Sequence, residues 1–170
     1  MLDTYLSFLE LGYYEVQFAL EGLADEKVWQ RPADGLLSIG ELTGHIAYWE
    51  AVKLTGMYQQ DEEPDLSLCK VSSPLIDRRF AYYPITLQHP PSEEQKAMTA
   101  AQVYAELMRV HTESVAYLKS QNPDLETPPP GWSPGWTYKE ILKYATFHIS
   151  YHTGQMYSAR HLLGEQTPDN

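Results

Sequence analysis

The stretch Ser38-Ile39-Gly40-Glu41-Leu42-Thr43-Gly44-His45 opens a helix and places a histidine one turn past the cap. Ser38 and Glu41 have capping-box spacing. The hydroxyl accepts from the amide of residue 41, and the carboxylate reaches back to the amide of residue 38. Leu37 and Leu42 flank the box at the positions of a hydrophobic staple. The helix is expected to run to about Tyr58, with Leu42, Ile46, Trp49 and Val52 on its buried stripe.

Working outward, the same device recurs twice. Thr99-Ala100-Ala101-Gln102, flanked by Met98 and Val103, predicts a helix to about Ser120. Thr137-Tyr138-Lys139-Glu140, flanked by Trp136 and Ile141, predicts another to about Leu163, stopped by Gly164. Upstream, Leu2, Leu6, Leu9, Tyr13, Val16 and Leu20 recur at helical spacing. They predict a first helix from Asp3, its cap, to about Leu23. The fold class is therefore all-α, a single domain over residues 1–170 built on these long helices. The first connection is short, which makes helices one and two antiparallel neighbours. The second, over residues 59–98, carries Pro64, Pro74, Pro84, Pro90 and Pro91. It is long enough to cross a bundle and leave helices two and three parallel. Within it, Arg79 to Leu87 reads as a short extended piece.

Composition removes several function classes. The formal charge is −11, and the basic residues are scattered. Such a surface repels nucleic-acid phosphates and anionic membranes. No apolar run reaches the length of a membrane span. Met1 to Leu11 carries Asp3 and Glu10 and has no signal-peptide character. The single cysteine, Cys69, excludes an internal disulfide framework and a cysteine-rich zinc site. A reducing, cytoplasmic setting is the expectation.

The residues with chemistry are histidines. His148 and His152 are spaced i, i+4 and share one helix face. They continue the line of Ile141, Tyr144/Ala145, Gln155/Met156 and Ala159, the inward stripe. Ordinary core or surface histidines would also fit this spacing. A divalent ion would hold both rings neutral, and His45, on the buried side of helix two, is the candidate for a third ligand. His89 lies in a loop before Pro90, His111 at the edge of an apolar stripe, and His161 is expected to face water. Gln155 is the preferred support for an imidazole or water. Tyr48 and Tyr144 also lie within a turn of a ligand, and plain packing is the competing role for each. Trp132 and Trp136 read as core anchors or pocket walls. No residue is assigned as catalytic. Phosphate loops, serine elbows and dinucleotide fingerprints are absent. So is the Glu-x-x-His pattern of a di-iron bundle.

These features together, Ser38 to His45, the later His148-x-x-x-His152-x-Gly154-Gln155 and the Trp29-x-Arg31-Pro32 loop, resemble the DinB-like (damage-inducible) metalloprotein superfamily. The resemblance covers nearly the whole chain. It implies a four-helix bundle of up-down-down-up type, with the long crossover between helices two and three. It implies that His45, His148 and His152 bind one divalent metal ion (Zn, Ni or Fe), with water completing the shell. Relatives of this kind include thiol-dependent transferases and isomerases, and homodimers are implied. The resulting expectation is a metal-dependent enzyme, a low-molecular-weight-thiol S-transferase or hydrolase on a small electrophile. The alternative is a non-catalytic stress-response or binding module whose metal is structural or whose site is vacant.

Overall fold

Capping chemistry sets where the long helices begin. In the computed structural model, which describes residues 1–56 and 63–168, all regular structure is helical. The elements are α1 (Leu2–Leu20), α2 (Asp25–Val28), α3 (Ile39–Thr55), α4 (Tyr83–Gln88), α5 (Glu93–Lys96), α6 (Ala100–Gln121) and α7 (Tyr138–Leu162). Single 3-10 turns occupy Leu66–Leu68 and Arg78–Phe80. The boxes at Ser38 and Thr99 form in full, each with both reciprocal bonds. At α7 only half forms: Thr137 accepts from the amide of Glu140, while the Glu140 carboxylate turns to Lys143. The expected end of helix two at Tyr58 lies outside the described residues. Asp3 is not a cap; it sits inside the first turn of α1, and its carboxylate meets Lys119.

The piece expected to be extended, 79–87, is helical instead. Pro84 stands in the first turn of α4, where its fixed φ suits a helix and its missing N–H costs nothing. A further box, Ser92 to Gln95, opens α5.

Four helices make the core. α1 packs most closely on α7, and α3 on α6; α3 with α7 and α1 with α6 complete the ring. The expectation that the first two long helices are neighbours therefore fails, since α1 and α3 are not among the closely packed pairs. Gly12 explains the preference for α7. A Cβ added there would stand 2.3 Å from Ile149 Cγ2, so only glycine lets the two helices approach this far. Arg160 of α7 then donates to the carbonyls of Phe18, Ala19 and Glu21, satisfying the C-terminal end of α1.

The core is apolar through Leu6, Leu9, Val16, Leu107, Ile141 and Met156. One polar group crosses it. The Tyr13 hydroxyl donates to Glu50, and His111 Nδ1 donates to the other Glu50 oxygen at 2.8 Å, with the Tyr13 and His111 rings stacked. His111, expected at a stripe edge, is buried here against a carboxylate. No helix among the described residues is long and apolar enough to cross a membrane.

Candidate metal centre

His45 comes from α3, and His148 and His152 come from successive turns of α7. One nitrogen from each ring lies within 4.8 Å of the others. His45 Nε2 and His148 Nε2 are 3.1 Å apart. Two ligand nitrogens on one ion at bonds of about 2.0–2.1 Å stand about 3.0–3.4 Å apart, so this spacing suits a shared cation. The pair on α7 is half-buried, not on the innermost stripe. That stripe runs through Ile141, Ala145, Ile149 and Met156, and the histidines lie beside it, facing a cleft.

Hydrogen bonds fix how two of the rings face. His45 Nδ1 donates to the Phe80 carbonyl at 2.7 Å, which leaves Nε2 with its lone pair toward His148. The approach of Phe80 depends on Gly44: a Cβ there would be 2.6 Å from the Phe80 ring. Trp49 Nε1 donates to the next carbonyl, Ala81, at 2.7 Å. The turn at Arg78–Phe80 is thus held on α3 at two points and turns the His45 ring. His152 Nδ1 donates to Gln155 Oε1 at 2.7 Å, again leaving Nε2 free. The sequence pointed to Gln155 but missed Phe80, whose backbone carbonyl carries no side-chain signature.

Electrostatics keep the rings neutral. Burial lowers the pKa of His45 to about 4, with His152 as a further cause. His148 falls to about 2, again through burial first, then Lys53 and the other two imidazoles. His152 is lowered by burial, against a raising hydrogen bond from Gln155. Neutral imidazoles with convergent lone pairs are the donor set of a borderline divalent ion. The residues fit such an ion.

The sequence model of the DinB superfamily matches residues 9–156. The chain belongs to the DinB superfamily. No curated protein and no solved structure gave a match. The span shared with the DinB superfamily contains all three histidines and the Trp29-x-Arg31-Pro32 loop. That loop has a visible task. Trp29 covers Gly40 and donates to the Met98 carbonyl, while Arg31 pairs with Glu41 at 2.6 Å and donates to the carbonyls of Thr86 and Leu87. It ties α4 and the start of α6 to the first turn of α3. Glu41 is consumed by its cap and by Arg31.

Beside the histidines this DinB-superfamily chain has a cleft of about 360 Å³. Its walls include Trp49, Trp132, Trp136, Tyr144, Phe147 and Tyr151, and Lys53 is the one lysine or arginine among the described residues that line it. Tyr144 stacks on His148, and Trp136 meets Tyr144 edge-on at 5.6 Å. Trp132 and Trp136 are cleft walls, although Trp132 is also buried. Tyr48 is elsewhere: fully buried with Val52, Phe80 and Ala81, it does not line the cleft.

Proposed function

We propose that this DinB-superfamily chain is a metal-dependent enzyme, a low-molecular-weight-thiol S-transferase or hydrolase acting on a small electrophile. His45, His148 and His152 hold its one divalent ion, zinc, nickel or iron. The observation that carries the reading is the convergence of three neutral imidazoles at the floor of an aromatic cleft. An ion held by neutral ligands keeps its double charge and lowers the pKa of a water or thiol that joins it. The chain's own residues do the rest. Phe80 and Gln155 hold protons on the Nδ1 atoms of His45 and His152. The aromatic walls offer apolar surface for a reactant.

The same proposal takes the four long helices as an up-down-down-up bundle. Asp3 with Lys119 and Gln17 with Tyr104 support α1 and α6 running oppositely. Glu15 with Tyr157 and Phe18 with Arg160 support α1 and α7 running together. A cytoplasmic homodimer completes it. Exposed Phe8, Leu11 and Tyr14 on α1 and Phe147 and Tyr151 on α7 offer apolar surface for a second copy.

Elemental analysis of the purified protein tests the reading first, with one metal per chain expected. His148→Ala and His45→Ala should each abolish uptake, and with it turnover of a chromogenic electrophile with bacillithiol, mycothiol or glutathione. A chain that takes up no divalent ion ends the proposal. One observation favours a structural metal instead: among the described residues no carboxylate lines the cleft, so none of them stands by the ion as a general base. On that reading chelation lowers Tm and no substrate turns over.

A further inference from the structure

Among the described residues, Lys53 is a cation without an acid. The chain has 23 acidic residues against 12 basic ones, so acid partners are plentiful. Lys96, Lys119, Lys139 and Lys143 each meet a carboxylate. Lys53 meets none among the described residues. Its Nζ lies 4.0 Å from the centre of the Tyr144 ring and 5.0 Å from that of Trp49. Aromatic faces attract an ammonium through the ring quadrupole. They give its three N–H donors no acceptor of conventional kind. Burial accordingly lowers the Lys53 pKa to about 7. Both Lys53 and the histidine triad line one cleft. A half-buried ammonium in a pocket otherwise lined by aromatic rings and the three histidines is a site where an incoming anion gains most, because no described residue lining it supplies a competing negative charge.

We propose that Lys53 is the anion-recognition residue of the cleft: it receives the carboxylate of a small acid whose ring-bearing body lies against Trp49, Trp136 and Tyr144, beside the three histidines. The inference rests on reading the cleft as the ligand site of the metal centre. A monoanion matches the single ammonium. A phosphate monoester would leave its second charge unmatched, since no arginine and no second lysine is among the described residues that line the cleft. The cleft volume, about 360 Å³, is at the small end of ligand sites, which fits a compact acid.

The test compares 3-phenylpropionate with its uncharged amide, read by tryptophan fluorescence and calorimetry on metal-free and zinc-loaded protein. Wild type should bind the carboxylate about tenfold or more tightly than the amide, in both forms. Lys53→Met should bind both probes alike, while Lys53→Arg should keep the preference; circular dichroism checks that each variant is folded. Equal binding of the two probes by wild type, failure of both to bind, or a preference that survives in Lys53→Met overturns the proposal. A preference seen only with zinc and kept by Lys53→Met places the anion on the metal, which also overturns it. Zinc uptake is measured separately by equilibrium dialysis. A chain that takes up no zinc yet shows the Lys53-dependent preference would sink the metal reading and leave the anion site standing.

Discussion

At His45 the ring is turned by a carbonyl 35 residues further along the chain, and Gly44 is what lets that carbonyl approach. Alanine usually favours a helix over glycine by about 1 kcal/mol. At residue 44 the added Cβ would meet the fully buried Phe80 ring, which has no room to swing away. Gly44→Ala should therefore destabilise the fold by about 1–3 kcal/mol. It should also weaken metal binding about 10–100-fold, since the group orienting a ligand is displaced. Competition with a chelating dye measures the second effect, and unchanged affinity would remove Phe80 from the site. Gly154→Ala is the control, because nothing lies within 4 Å of a Cβ there. The histidines themselves were legible from spacing and from the box at Ser38. The Phe80 carbonyl was not, although a glycine in the middle of a helix beside a ligand was a signal that something packs on it.

At the scale of elements, α1, α3 and α6 are joined inside the core by Tyr13, Glu50 and His111. Replacing one member strands the others away from water. His111→Ala should cost about 3–5 kcal/mol in urea unfolding, the usual penalty for a buried carboxylate left short of its partner. Metal uptake per folded chain should stay the same, because His111 does not line the cleft. A cost under about 1 kcal/mol would mean that water replaces the lost partner beside Glu50. The starts of α3 and α6 were readable because a box is a local, two-residue code. Short α2, α4 and α5 were not, since four to six residues carry too little periodicity to register. The adjacency of α1 and α7 was hidden for another reason. Loop length limits which helices can meet, but Gly12 against Ile149 decides which do.

For the whole molecule, the depressed histidines couple stability to pH. His45 moves from an ordinary 6.5 to about 4, and His148 is lowered further. Between those values the unfolded chain binds more protons than the folded one. The stability they contribute is complete above about 6.5 and is lost as pH falls through the folded values. Tm of the metal-free protein should thus decline from pH 6.5 toward 4. At a net charge of −11, acidification relieves self-repulsion and pushes the other way, so a decline here points to the histidines. A Tm profile across that window that is the same in His148→Ala as in the wild type would show that the His148 ring carries none of the pH dependence. The long reach of the triad also bears on how the protein is made. His45 and His148 are separated by 103 positions, so a nascent chain carrying α3 has no second ligand until α7 leaves the ribosome. On the proposed metal reading, loading is consequently a late event in biosynthesis, and a protease that clips the chain ahead of α7 would prevent it.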